Sequence, residues 1–236
     1  DARDGITRMT PANLISSWHR AAEPSERMID LERLCGDVDS IAVNSPLPSI
    51  VPLRDEGAAN HMRLCDPSGR HGLNVFVYGD DESGSLAPGR FPARHTRAAS
   101  AAIARLHALR DDRTFFLQQH PEAIAAGVFH NDVIATSHEH LLLYHELAFW
   151  EGESTLESID RAFLGATGMR LQRVCISDQE LPLASAVSSY FFNSQIVTPQ
   201  PARNQDATNK RSSDQPRMAM LCPGQCETEP HVQQLI

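Results

Sequence analysis

Gly127-Val128-Phe129-His130-Asn131-Asp132 places a histidine two residues before an aspartate, at the end of an apolar run that reads as buried. Alone, the pattern is too short to decide anything. Two other blocks lie upstream of it. They are Asp55-Glu56-Gly57-Ala58-Ala59-Asn60-His61 and, between the two, Arg90-Phe91-Pro92-Ala93-Arg94. Together they put an acid in a small-residue loop, an arginine after a proline turn, and a His/Asp pair beside a strand-like run.

The surrounding sequence reads as alternating strands and helices. Residues 11–21 and 24–34 read as helices, with Pro11 and Pro24 at first-turn positions. Residues 40–43 read as a strand, after which Pro46, Pro48 and Pro52 break the chain. Asn74-Val75-Phe76-Val77-Tyr78 is a strand closed by Gly79, and 80–90 is an acidic surface loop. A helix is predicted over 94–109, a strand at 114–118, and a short helix from Pro121 to Gly127. Strands at 133–136 and 140–145 flank a turn at 137–139. A helix at 154–166, a strand at 170–176, a helix at 182–193 and a strand at 217–221 follow. Residues 198–216 read as a flexible polar insertion. Strand, helix, strand with paired strands between them is an α/β pattern. Periodicity leaves open whether the strands form a doubly wound sheet or a ring of repeated modules.

Charge and composition exclude several classes. With 30 acidic and 21 basic side chains among 236 residues, the formal charge is −9, which argues against a nucleic-acid partner. No apolar run approaches the roughly 20 residues that span a bilayer, so no membrane partner is expected. The five cysteines (Cys35, Cys65, Cys175, Cys222 and Cys226) are odd in number and irregular in spacing. They read as free thiols of a reducing cytoplasm rather than a disulfide frame. Cys222 and Cys226 lack a second Cys/His pair, so no zinc site is expected.

The three blocks resemble the N-succinylarginine dihydrolase family of the guanidino-group-modifying (pentein) superfamily. So do Phe76-Val77-Tyr78-Gly79, Gln118-Gln119 before Pro121, Phe192-Asn193-Ser194-Gln195 and Pro223-Gly224-Gln225-Cys226-Glu227. The resemblance implies a five-module α/β propeller with its active site on the central axis, of which residues 1–236 hold about the middle three modules as one domain, incomplete at both ends. It implies hydrolysis of N2-succinyl-L-arginine to N2-succinyl-L-ornithine, ammonia and carbon dioxide, with no metal or organic cofactor, in a homodimer. It also implies that the family's nucleophilic cysteine lies beyond this sequence, since Cys226 matches an earlier, non-catalytic position.

A guanidinium is a planar cation that carboxylates hold through paired, charge-assisted hydrogen bonds. Its hydrolysis needs those acids, a proton-transfer group and a nucleophile. Composition alone reads Glu56 as a solvated loop acid; the resemblance makes it catalytic, paired with His130. An imidazole side chain is the type suited to proton transfer near neutral pH, and the resemblance makes His130 the general acid/base. Asp132 then holds the guanidinium, alternate residues of an extended segment sharing a side. By the same resemblance Arg94 and the pair His19-Arg20 bind the substrate; by composition they are surface residues.

Two other readings remain at this point. One is a non-catalytic ligand-binding remnant of the same fold. The other is a metal hydrolase using His138, His140 and His145, since two histidines at i, i+2 can share a strand face.

Overall fold

The computed structural model describes residues 2–15, 18–55, 57–81, 91–199 and 218–235. Its strands are β1 (Thr7–Met9), β2 (Ile41–Val43), β3 (His61–Cys65), β4 (Gly72–Tyr78), β5 (Thr114–Gln118), β6 (Ala135–His138), β7 (Leu141–His145), β8 (Gln172–Ile176), β9 (Gln195–Val197) and β10 (Ala219–Leu221). The helices are α1 (Trp18–Ala21), α2 (Pro24–Cys35), α3 (Arg97–Leu106), α4 (Pro121–Ala125), α5 (Glu153–Thr167), α6 (Leu183–Ser189) and α7 (Pro230–Leu235). The α/β class expected from the sequence is borne out.

The topology repeats. β3 pairs antiparallel with β4, and β4 pairs parallel with β5 across helix α3. β6 pairs antiparallel with β7, and β7 pairs parallel with β8 across α5. These are two successive ββαβ units. On either side lie the parallel pair β1–β2, spanned by α1 and α2, and the antiparallel pair β9–β10. The leading strands of the units are neighbours: β3 lies beside β6, and β6 beside β9. The Cys65 amide donates to the Glu139 carbonyl at 2.9 Å, tying β3 to the far end of β6.

Strand alternation builds the layers. Leu73, Val75 and Val77 of β4 face one way, towards Leu156, Ile159 and Phe163 of α5. Phe76, on the opposite face, packs with Ala99 and Ile103 of α3. Leu142 and Tyr144 of β7 also meet α5, while Leu143 turns to Leu181, Phe191 and Phe192. Helix α5 therefore buries one face, carrying Leu156, Ile159 and Phe163, in a cluster shared by both three-stranded sheets, while Glu157, Arg161 and Leu164 stay exposed. Strand β4, the centre of its sheet, is buried on both faces, whereas β8 at the edge of the other sheet leaves Val174 and Cys175 exposed.

Several boundaries differ from the sequence reading, each for a local reason. Residues 11–15 are not helical, because Asn13 is buried and its amide donates to the Pro48 and Leu53 carbonyls at 2.9 and 2.8 Å. Helix α3 starts at Arg97, not at Arg94. Thr96 caps it, its hydroxyl accepting the Ala99 amide at 3.0 Å and donating to the Pro52 carbonyl at 2.8 Å. Residues 131–133 form a 3-10 turn, so β6 begins at Ala135. The β6–β7 turn falls at Glu139-His140, with Glu139 at φ 50°. Helix α6 stops at Ser189 because Tyr190 turns left-handed at φ 55°. Strands β1, β3 and β9 escaped the sequence reading; β1 and β9 are three residues long, too short for a period of two to show. The insertion predicted at 198–216 lies almost wholly outside the described residues, as does most of the 80–90 loop.

Candidate functional site

The site forms where the leading strands begin. A 3-10 turn, Gly57–Asn60, runs directly into β3, and a second, Asn131–Val133, precedes β6. Asn193 stands just before β9. Their side chains join the three starts. Asn60 Oδ1 accepts the Asn131 amide at 2.8 Å, both residues being buried. Asn193 Nδ2 donates to Asp132 Oδ2 at 2.7 Å. Residues just ahead of β3, β6 and β9 thus meet at one end of these neighbouring strands.

His130 enters this end as the cap residue of the second turn, with extended backbone (φ −137°, ψ 154°). The run before it is anchored by buried Gln119, whose Nε2 donates to the Val128 carbonyl at 3.1 Å. The Phe129 ring meets the His130 ring edge-on, centroids 4.9 Å apart. Arg94 lies over the same Phe129 ring, its guanidinium carbon 5.1 Å from the centroid, a cation–π contact. One aromatic ring therefore touches both the predicted proton-transfer group and a predicted substrate cation. Gly79 lets the Arg94 segment approach: a Cβ there would sit 2.9 Å from the Ala93 Cβ.

Asp132 is half-buried, and its carboxyl is held above the usual carboxylate range, first by that burial. His130 and the Asn193 amide oppose the rise by favouring the ionised form. The 3-10 turn means that strand alternation does not set the His130–Asp132 relation, contrary to the expectation; the turn sets it, and the pair still interact electrostatically. In Asn193→Ala the carboxyl loses a donor to its charged form, so its pKa should rise further, read by carboxyl-carbon NMR titration. The sign follows: stability at neutral pH should fall by about 1 kcal/mol, a charged bond discounted because Asn193 is exposed. The loss should fade as the pH drops and Asp132 is protonated in both proteins. An unmoved carboxyl titration would refute the contact.

Asn60 Nδ2 and both side-chain polar atoms of Asn131 are buried without a hydrogen-bond partner. Unpaired buried amides cost about 1–3 kcal/mol each, a cost that natural proteins concentrate at functional sites. Asn60, Phe129 and Asn193 were not assigned roles from sequence. The available signal was an asparagine just ahead of a strand, recurring at 60, 131 and 193.

Glu56 lies outside the described residues; its neighbours Asp55 and Gly57 do not, and Gly57 sits at φ 78°. His19 is exposed on α1 and Arg20 is partly so. No hydrogen bond, ion pair or ring contact among the described residues links either to Arg94, His130 or Asp132. The metal reading is corrected. His145 is fully buried, donates from Nε2 to the Leu181 carbonyl at 2.9 Å and accepts the Leu147 amide at Nδ1 at 3.0 Å. Both ring nitrogens are thus taken. His138 and His140 flank a turn and do not share a strand face. Among the described residues no three His, Cys, Asp or Glu are grouped to hold a metal ion.

The sequence profile of the succinylarginine dihydrolase family matches residues 1–236. The chain belongs to that family. It is 45% identical to an N-succinylarginine dihydrolase of Marinobacter nauticus over 84% of this chain and 44% of that protein. It is 40% identical to the N-succinylarginine dihydrolase of Shewanella amazonensis over 98% of this chain and 49% of that protein. The chain spans about half the length of the curated relatives it matches. Among solved structures, it is similar over 82% of its length to 24% of an arginine dihydrolase from the ornithine–ammonia cycle in cyanobacteria, at 16% identity and a TM-score of 0.48. Family membership matches the sequence expectation. No helix among the described residues is long and apolar enough to cross a membrane.

Proposed function

We propose that this chain is the substrate-holding part of an N-succinylarginine dihydrolase, converting N2-succinyl-L-arginine and water to N2-succinyl-L-ornithine, ammonia and carbon dioxide. The observation that carries the reading is the meeting of His130, Asp132, Asn193 and the Arg94–Phe129 pair at one end of the leading strands, in a chain of that family.

The chemistry follows from the groups. Asp132 and Glu56 hold the guanidinium, and Asn193 keeps the Asp132 carboxylate aimed. Arg94, steadied by Phe129, takes a substrate carboxylate; His19 and Arg20 are assigned to the same anionic end. A thiolate attacks the guanidinium carbon and His130 protonates the departing ammonia. His130 then deprotonates the water that releases the intermediate, and a second round removes the other nitrogen. The thiols of Cys65, Cys175 and Cys226 are each pushed up by burial, the wrong direction for a nucleophile. The resemblance assigns the thiolate to a cysteine of the family's C-terminal region, which none of the five cysteines here matches. The repeated ββαβ units support a five-module propeller, read as a single domain of which this chain holds about the middle three modules. A cytoplasmic homodimer that needs no cofactor completes the proposal, with the five free cysteines in favour of a reducing compartment.

The test is ammonia release by the polypeptide expressed from the complete reading frame. Two ammonia should appear per N2-succinyl-L-ornithine, with free arginine turned over at least about a hundredfold less efficiently, since it keeps its α-carboxylate but lacks the succinyl carboxylate that the site's cations are assigned to hold. Equal turnover of free arginine would mean that Arg94, His19 and Arg20 do not hold the succinyl carboxylate. Release of no ammonia from either compound would remove the proposed function.

A further inference from the structure

Asp55 and His95 form a buried side-chain pair that the proposed chemistry does not use. Each side chain is 5% exposed, with His95 Nδ1 3.2 Å from Asp55 Oδ1. A carboxylate only accepts, so Nδ1 is the donor. On the other side of the ring, His95 Nε2 lies 2.7 Å from Ser100 Oγ in the first turn of α3. Asp55 Oδ1 also accepts the Gly57 amide at 2.9 Å, and the Asp55 amide donates to Asn13 Oδ1 at 2.6 Å. The His95 carbonyl accepts the amides of Gly79 and Asp80 at 2.9 and 3.0 Å.

These bonds make one chain of contacts. It starts at Asn13, passes through Asp55 and His95, and ends in α3. The residues on both sides of position 56 hang from its acidic end. The residue that follows Arg94 is its centre. A buried pair of this kind is a weak source of stability, because desolvation offsets most of the attraction, and apolar side chains of similar volume often serve as well. What the pair does supply is a fixed separation between two loops that lack regular secondary structure to hold them.

We propose that Asp55 and His95 are positioning residues: they lock the loop bearing Glu56 to the segment bearing Arg94, and so set the span between the guanidinium end and the carboxylate end of the substrate site. The inference rests on the proposed function for its substrate, and on the contacts above for the coupling. Neither side chain touches the substrate. The pair acts as a ruler, favouring a ligand whose cation and anion are one fixed length apart.

The experiment separates the two supports. His95→Asn keeps a donor near the Nδ1 position and loses Ser100; His95→Gln keeps one near Nε2 and loses Asp55. Hydrogen exchange of the Gly57 amide reads the coupling without any substrate. It should be about tenfold faster in His95→Gln, the size of one lost charged hydrogen bond, and close to wild type in His95→Asn. The Leu142 amide, in the buried centre of β7, should be unmoved in both. Calorimetry should show N2-succinyl-L-arginine binding weakened about tenfold in His95→Gln and restored in His95→Asn. If His95→Gln does not fold, Asp55→Asn, which keeps the shape and removes the charge, is read at the same amide and should also exchange faster. A Gly57 amide that exchanges at the wild-type rate overturns the proposal. So does a Leu142 amide that accelerates in step with it, which would mean general loosening. Wild-type protein that binds no N2-succinyl-L-arginine would sink the proposed function instead, and the amide alone would then decide the coupling.

Discussion

His130→Ala in the complete enzyme is expected to lower ammonia release by about 10²–10⁴-fold, the usual contribution of one positioned acid/base group. Substrate binding should change little, because Arg94 keeps its seat on Phe129, and the Asn193–Asp132 bond is made without the imidazole. The folded state should also be nearly unaffected, since His130 is a half-buried cap residue and not a core member. A second signature is electrostatic. His130 favours the charged form of Asp132, so its loss should push that carboxyl up further. The decisive assay pairs steady-state ammonia release with the Kd for N2-succinyl-L-arginine. Turnover within about threefold of wild type would remove His130 from the chemistry.

Phe163→Ala should be the most damaging single change to the fold. Phe163 is fully buried on α5, inside the cluster that joins the β3–β4–β5 sheet to β7. Truncating such a ring costs about 3–5 kcal/mol, the lost transfer energy plus the cavity. That is a large share of the roughly 5–15 kcal/mol available to a domain. The expected result is a urea midpoint lowered in proportion, with an unchanged slope. Ligand affinity of the surviving folded fraction should stay near wild type, because Phe163 lies in the core beneath α5, and the site lies at the strand ends. A loss below about 1 kcal/mol would mean that α5 does not bridge the two units.

The elements with a long, clean pattern are legible in the order of their residues. The Asn74–Tyr78 run, the alanine-rich segment of α3 and the paired strands around 140 all stand close to where periodicity and turn residues put them. Boundaries failed where a side chain from far along the chain intervened. Asn13 claims the carbonyls of the proline-rich stretch, and Thr96 reaches Pro52 while capping α3. Those bonds span more than 30 residues, and no local window contains both partners.

The sequence by itself determined the class of fold, the family, and the identities of His130, Asp132 and Arg94 as residues worth following. These depend on which side chains occur in which local order, and that order is the sequence. Only the tertiary structure decided that the starts of β3, β6 and β9 converge, that Phe129 joins Arg94 to His130, and that Asn193 meets Asp132 across 61 positions. It also decided that His145 is a sealed core residue and that Asp55 and His95 are partners. The physical reason is the same in each case. Sheet packing fixes which strand ends lie together, and burial then leaves each polar group only the partners that this packing brings within about 3 Å.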